Sequence, residues 1–374
     1  MPNPTLTNGQ FNWMLYGATG FTGQLILEEA LNQGERPIIA GRDPAKVNEL
    51  AQRFGLPAQV FGLLGSVELV QRNIQGLDAV VNAAGPFAYT YPNMAAACMQ
   101  EWVDYLDITG EMVVFEKNFD NYMAARSENV RLICGMGFDV VPTDCLAKYV
   151  LDELPEASQL EIAILTNGKA SAGTMRTMLE HAKRGSWARK EGRLLPERLA
   201  RVSKTVAFAR GEMAVASVPL GDLSTAYRHY QTPNIRAFMA LPQKRIEQLN
   251  KYATLFQKAM KVKPLRKLVQ SLLYDREKMG PDEHLRREGF TECWASATTP
   301  EGKRVSARLT SIEAYRMTAT CAVKGIQHLR SRADHLPYGA LTPAQAFGKD
   351  FILELPDTSR ETLEHTEKAV STYA

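Results

Sequence analysis

Early in the chain, an apolar stretch runs into Tyr16-Gly17-Ala18-Thr19-Gly20-Phe21-Thr22-Gly23, and a helix-like stretch follows. Asn12–Tyr16 reads as a strand, and Phe21–Gln33 as a helix closed by Gly34. Three glycines at this spacing, between a strand and a helix, restrict the fold sharply. Gly17 lets the chain turn off the strand. Gly20 has no Cβ, so the backbone there can approach a pyrophosphate. Gly23 lets the helix lie close to the sheet. The helix start then offers unpaired N–H groups and the positive end of its dipole, with Phe21 at its first position. Thr19 and Thr22 add hydroxyl donors. A plain structural turn is the alternative, but the strand and helix that the motif requires are both present. The segment is therefore expected to bind a nicotinamide dinucleotide.

The second strand bears on which one. Sites for NAD(H) place a carboxylate about 20 residues past the first glycines, on the ribose 2′-hydroxyl. Here Pro37–Ala40 runs into Gly41, which takes the acidic slot, and Arg42 follows. A guanidinium suits a 2′-phosphate by charge and by bidentate geometry, which favours NADP(H). Asp43 is either a ribose ligand or, the preferred reading, the cap of the helix Ala45–Phe54 behind Pro44. Asp78–Pro86 (DAVVNAAGP) is a buried strand that ends in small residues. Small residues at a strand's carboxyl end leave room for a ligand, so the nicotinamide ribose is expected beside Ala84, Gly85 and Pro86.

Strands and helices alternate through the first 150 residues. Further strands are expected at Ala58–Phe61, Ala79–Ala83, Tyr105–Ile108 and Arg131–Cys134, with helices at Val67–Ile74 and Met94–Glu101. That alternation implies an α/β fold: an N-terminal Rossmann-type parallel sheet with helices on both faces. The pattern then changes. Leu160–Leu165 alternates like a partly solvated strand, and Ala172–Lys183 looks helical. Trp187–Arg210 is rich in Arg and Lys and reads as a surface excursion. Phe290–Ser296 and Arg304–Ser311 read as a hairpin across Thr299–Gly302, and Tyr315–Leu329 as a helix. A second α+β domain with a mixed or antiparallel sheet is expected over 151–335, with the first domain covering 1–150.

The totals exclude several classes. The 374 residues carry 44 basic and 41 acidic side chains, a formal net charge of +3, which is too balanced to argue for nucleic acid. No apolar run reaches the roughly 18 residues of a membrane helix, and no secretory signal opens the chain. The five cysteines are widely spaced in apolar sequence, with no CxxC, and the six histidines are scattered. Reduced thiols, a cytoplasmic location and no metal site are expected.

At this point the chain resembles the saccharopine dehydrogenase-like oxidoreductases. YGATGFTG opens it as in that family. VVNAAGPF, a helix and YLDITGE (Tyr105–Glu111) resemble the next block, and GMGFDVVPTD (Gly135–Asp144) the one after. Ser171–Thr174 resembles a Gly-Thr turn before a helix, although Ala172 stands where many relatives have a second glycine. Gly280–Glu283, Arg286–Phe290 and Leu341–Ala344 resemble the branch that includes trans-acting enoyl reductases. The resemblance implies an NADP(H)-binding Rossmann domain and a smaller α/β domain over the cofactor. It also implies a last segment, 336–374, that returns to the first domain. The implied chemistry is hydride transfer to a C=C or a C=N bond.

Hydride transfer leaves the protein to position the acceptor and to handle a proton. Asp107, Thr109 and Glu111 follow an apolar strand, and Asp107 either does chemistry or orients a loop. Asp139 follows Phe138 in a loop where no helix or strand needs it, whereas Asp144 has a ready role in a helix start. Tyr89 and Tyr91 follow the NAAGP turn; tyrosines there are more often packing than chemistry. His181 falls on a helix. Asp139, Asp107 and Tyr89 are the catalytic candidates, and Phe138 joins the cofactor set. Lys251–Leu273 mixes basic and apolar residues. It reads either as a surface helix touching anionic membrane or a carrier protein, or, preferably, as helices packed on the second domain. The expected function is an NADPH-dependent reductase of an activated C=C in an apolar or carrier-bound substrate. A C=N reductase and a non-catalytic NADP(H) sensor are the alternatives, and a homodimer is left open.

Overall fold

The computed structural model describes residues 11–167, 186–261 and 283–366. The expected helix Ala172–Lys183, the Ser171–Thr174 block, His181, Gly280–Asp282 and the stretch 262–273 lie outside the described residues. The chain divides into two units, one of residues 1–141 and 315–348, the other of 142–314 and 349–374.

The first unit is built on a seven-stranded parallel sheet. Its first strands are β1 (Trp13–Tyr16), β2 (Ile38–Gly41), β3 (Ala58–Val60), β4 (Ala79–Asn82), β5 (Asp104–Asp107) and β6 (Arg131–Ile133). The strand Gly339–Leu341 completes it beside β6. From that strand the order is β6, β5, β4, β1, β2, β3. The chain therefore reverses direction across the sheet between β1 and β4, and ligands of such sheets sit at that switch point, at the carboxyl ends. All four residues of β1, β2 and β4 are buried, as expected of strands covered on both faces.

The helices are α1 (Phe21–Asn32), α2 (Pro44–Phe54), α3 (Val67–Ile74), α4 (Phe87–Glu101), α5 (Met112–Asp120) and α6 (Tyr122–Ser127). Asp43 caps α2, accepting from Ala45 N at 3.1 Å and Lys46 N at 3.3 Å. Helix α4 starts seven residues before the expected Met94 and runs through Pro92. Its cap comes from far along the chain and is described below. The helix Ala314–Arg332 returns to this unit. A Cβ on its Gly325 would lie 2.8 Å from Met136 Cε and 2.9 Å from Leu106 Cδ2. Arg330 grips the buried Glu35 with two bonds, at 2.7 and 2.5 Å.

The second unit has a nine-stranded mixed sheet. Its strands are β7 (Gln159–Thr166), β8 (Ser186–Lys190), β9 (Arg193–Glu197), β10 (Ser203–Phe208), β11 (Gly211–Ser217), β12 (Asn234–Ala240), β13 (Phe290–Thr298) and β14 (Arg304–Ile312), followed by Ser359–Thr366. Among the described strands, only β7 and β12 pair parallel; the expected hairpin is β13–β14. Trp187–Arg210 is not an excursion, because it forms β8, β9 and β10. Several of its charges are met inside the unit. The Arg189 guanidinium stacks on Tyr227 at 4.1 Å and donates to the Leu223 and Gly192 carbonyls. Lys190 and Arg236 both meet the buried carboxylate of Glu197. In the basic segment's helix, Gln243–Lys261, Ile246 is buried with Ala200 and Ala216. No helix among the described residues is long and apolar enough to cross a membrane.

The unit limits differ from those expected at 150 and 335. Helix α7 (Val141–Glu153) falls in the second unit from residue 142. Of the expected returning segment 336–374, Gly339–Leu341 joins the first sheet. Ser359–Thr366 instead pairs with β14 in the second, where Arg308 bridges to Glu361 at 2.8 Å.

Packing at the first glycine loop is tight. A Cβ on Gly23 would sit 2.1 Å from the Gly17 carbonyl oxygen. Gly23→Ala is expected to cost at least about 3 kcal/mol, the upper range for overpacking, as a lowered urea midpoint. A Cβ on Gly20 meets only that same oxygen, at 3.3 Å, so Gly20→Ala should lower the midpoint far less. Equal midpoints for the two variants would remove the packing role from Gly23.

Candidate dinucleotide site

The site is assembled where β1 and β4 end. Gly17 leaves β1 at φ +86, and a Cβ there would meet Ala84 N at 2.9 Å. Only glycine allows the two loops to touch. Helix α1 then starts at Phe21 with Gly20 as its cap residue. No side chain caps it, and its first turn holds no acidic residue. By contrast, α2 is capped by Asp43 and α3 by Ser66. The start of α1 thus lies at the switch point with no side-chain cap and no first-turn acid, an arrangement suited to phosphate. Gly20 and Phe21 are exposed, Thr19 and Thr22 half-buried, and Gly23 buried. Phe21 meets the Tyr315 ring edge-on at 5.2 Å.

At the end of β2, Gly41 is buried, and a Cβ on it would lie 3.8 Å from Thr19 Oγ1. Arg42 follows with its side chain exposed. Its charge acts on the Tyr16 phenol, which burial pushes up to about 12. The residues chosen for the phosphate half, Gly17 to Gly23 and Arg42, therefore lie along one edge of the sheet.

The other half is built by the loops after β4, β5 and β6, which are neighbours in the sheet. Ala84, Gly85 and Pro86 form the first of these, and Gly85 and Pro86 are exposed. Asp107 ends β5 and is wholly buried. Its Oδ1 accepts from Thr109 N at 3.0 Å and Gly135 N at 2.9 Å, and its Oδ2 from the Tyr105 hydroxyl at 2.9 Å. Its carboxylate is committed to holding the β5 and β6 loops, the orienting role of its two sequence readings. Burial pushes it up to about 6, against the pull of those hydrogen bonds.

Asp139 differs. The residue is exposed, and its carboxylate pairs with no side chain among the described residues. It lies over Gly110, where a Cβ would come within 2.7 Å of Asp139 Oδ2. Desolvation by the surrounding protein pushes this carboxyl up to about 6. Phe138, half-buried, donates its N–H to Thr318 Oγ1 at 3.0 Å. Tyr89, on the first turn of α4, is 68% exposed. Tyr91 is buried, with its hydroxyl on Asn118 Oδ1 at 2.9 Å, a packing role. Asp144, in the second unit, is buried and accepts from His229 Nε2 at 2.7 Å.

Residues 17–132 match a family described as NAD(P)H-binding. A Mycobacterium tuberculosis protein whose name places it among the trans-acting enoyl reductases is 32% identical over 190 residues, covering 47% of this chain. The match spans about half of that relative, 45%. The trans-acting enoyl reductase of Mycobacterium ulcerans is 23% identical over 93% of this chain and 96% of its own length. Among solved structures, saccharopine dehydrogenase (L-Glu forming) from Saccharomyces cerevisiae superposes with a TM-score of 0.65 at 13% identity. That superposition covers 95% of this chain and 100% of the other. Fold and site together define a protein with a Rossmann-type NAD(P)H-binding domain. Its particular architecture is that of saccharopine dehydrogenase, and its named sequence relatives are enoyl reductases.

The buried Asp107 makes a prediction about pH. Its folded-state proton affinity is raised, so its contribution to stability is present at low pH and is lost as pH rises through about 6. An offset of this size corresponds to on the order of 3 kcal/mol. Relative to Asp107→Asn, which does not titrate, the wild-type protein should lose stability between pH 4 and pH 7 in denaturant titrations. Parallel pH profiles for the two would refute this.

Proposed function

We propose that this chain is an NADPH-dependent reductase that adds hydride to an activated carbon–carbon double bond of an apolar, carrier-bound substrate. One observation carries the reading. The start of α1 is open, free of cap and first-turn acid, and Arg42 stands exposed on the neighbouring strand end. An uncapped helix start behind Gly17 and Gly20 fits a pyrophosphate. An exposed guanidinium with no carboxylate in the slot before it fits a 2′-phosphate. The names of the relatives support a C=C acceptor, and a reductase that acts in trans meets its substrate on another protein.

The residues take the following parts. Thr19, Thr22 and the N–H groups at the start of α1, from Phe21 on, would hold the pyrophosphate, and Arg42 would hold the 2′-phosphate. The small side chains of Ala84, Gly85 and Pro86, with Phe138, flank the nicotinamide half. Bound NADPH supplies the hydride to the electrophilic carbon. The neighbouring carbon needs a proton, and Asp139 is the open carboxyl on the adjacent loop with its affinity for a proton raised. Tyr89 is the exposed hydroxyl at the same sheet edge.

Arg42→Ala should weaken NADPH binding by about 10- to 100-fold, the worth of hydrogen bonds to a charged group. NADH binding should hardly change. Fluorescence titration with both cofactors measures this, and equal losses would sink the assignment.

Asp139→Asn should lower turnover on 2-enoyl thioesters by at least about 100-fold with NADPH affinity preserved, as for an interaction made in the transition state. For an acid that must be protonated, wild-type turnover falls as pH rises through about 6, and the variant loses that dependence. Full activity in the variant would exclude Asp139 from the chemistry.

A further inference from the structure

Helix α4 poses a problem that α1 does not. It starts at the same edge of the sheet, behind Pro86, and its own cap residue has no side-chain hydrogen bond to offer. Left open, its N–H groups would be a second anion site beside the first. They are closed instead by Glu111, which stands 24 residues further on. Glu111 Oε1 accepts from Phe87 N at 2.9 Å, and Oε2 from Ala88 N at 3.1 Å. The carboxylate is buried and spans both of the first two helical N–H groups.

Glu111 is itself fixed. Its N–H donates to Thr109 Oγ1 at 3.0 Å, and Thr109 N–H donates to Asp107 Oδ1. Asp107 accepts from the Tyr105 hydroxyl, which accepts from Asn82 Nδ2 at 3.2 Å, and Asn82 Oδ1 accepts from Ala84 N at 3.0 Å. Burial pushes the Tyr105 phenol well above its ordinary range, so it stays a donor. Thr90 closes the far side by donating to the Ala84 carbonyl at 2.7 Å. The bonds form a ring: Ala84, Asn82, Tyr105, Asp107, Thr109, Glu111, then Phe87 and Ala88. The turn Ala84–Pro86 is held inside it.

From this we infer that Glu111 is a positioning residue, the resident anion of α4. It fixes the Ala84–Pro86 turn beside the nicotinamide half of the cofactor and closes α4, so that of these two neighbouring helix starts α1 is the one left open for the pyrophosphate. The inference rests on the dinucleotide reading above. It predicts that Glu111 affects one half of the cofactor and not the other. A carboxylate accepts two N–H bonds here, whereas an amide of the same shape accepts only one and turns an NH₂ group toward the other donor.

The experiment compares wild type, Glu111→Gln and Glu111→Ala, with NADPH and with 2′,5′-ADP, a probe that carries the 2′-phosphate but no nicotinamide. Amide exchange at Phe87 and Ala88 is followed in the same proteins. Glu111→Gln should bind NADPH about tenfold more weakly, the loss of one such bond. It should bind 2′,5′-ADP as wild type does and exchange faster at Phe87 and Ala88. Glu111→Ala should recover NADPH affinity when formate is added, because the small anion refills the helix start. A parallel loss of both ligands, unchanged NADPH affinity in Glu111→Gln, or no response to formate would each overturn the inference. Failure of the wild-type protein to bind either ligand would instead overturn the dinucleotide reading itself, and this inference with it.

Discussion

The contact between Gly23 and the Gly17 carbonyl sets the geometry of everything at this edge of the first sheet. With 2.1 Å between that oxygen and any Cβ on Gly23, α1 can lie against the end of β1 only because a hydrogen stands there. The same loop touches the turn after β4, where a Cβ on Gly17 would meet Ala84 N at 2.9 Å. Two helix starts, α1 and α4, are therefore brought to the point where the strand order reverses. Proximity of this kind is sterically expensive for any other residue and has little value for stability alone. Its consequence is a narrow place with backbone donors on both sides.

Those two helix starts are treated in opposite ways. Helix α1 has neither a cap nor a first-turn acid, whereas α4 carries the buried carboxylate of Glu111 on its first two N–H groups. A helix start attracts negative charge wherever it is open. Closing one and leaving the other open favours α1 over α4 as the place for an incoming diphosphate. The cost is a pair of buried carboxylates, Asp107 and Glu111. It is offset by hydrogen bonds from backbone N–H groups to both and from the Tyr105 hydroxyl to Asp107. Such a network is worth keeping only if its geometry matters, since a fully apolar core would fold without it.

Much of the first unit is written locally. The strand–glycine–helix run from Trp13 to Asn32 and the Asp43 cap of α2 depend on neighbours in sequence. Both are legible for that reason. So is the β13–β14 hairpin, whose turn and alternation are adjacent. The start of α4 is not legible, because Phe87 to Asn93 has no local cap and contains Pro92; the stabilising carboxylate arrives from Glu111. Asp107 reads equally as chemical or structural in sequence, because one of its three donors, Gly135 N, comes from another segment. The strands β8, β9 and β10 are masked in sequence by their arginines and lysines. A guanidinium stacked on Tyr227 and ammonium groups paired to buried carboxylates are tertiary facts. Asn82 and Tyr105 carry no signal at all, since an amide in a buried strand and a tyrosine in a core are ordinary until linked.

The unit limits follow from the same distinction between local and distant information. The first sheet ends at β6, and its last strand, Gly339–Leu341, comes from the other end of the chain. What holds that late segment is specific. Arg131, on β6, pairs with Asp104 at 2.9 Å, donates to the carbonyls of Ala333 and Leu336, and stacks on Tyr338 at 4.1 Å. Arg131 is almost wholly buried, and its two terminal nitrogens find acceptors that offset part of the cost of burying the charge. Two of its acceptors are backbone carbonyls of the returning segment, so the first unit is incomplete until residues 315–348 have joined it. The dinucleotide edge shares in that dependence. Gly325 lies against Leu106 and Met136, and Thr318 accepts the Phe138 N–H. The loop that presents Asp139 is thus shaped partly by a helix synthesised about 180 residues later.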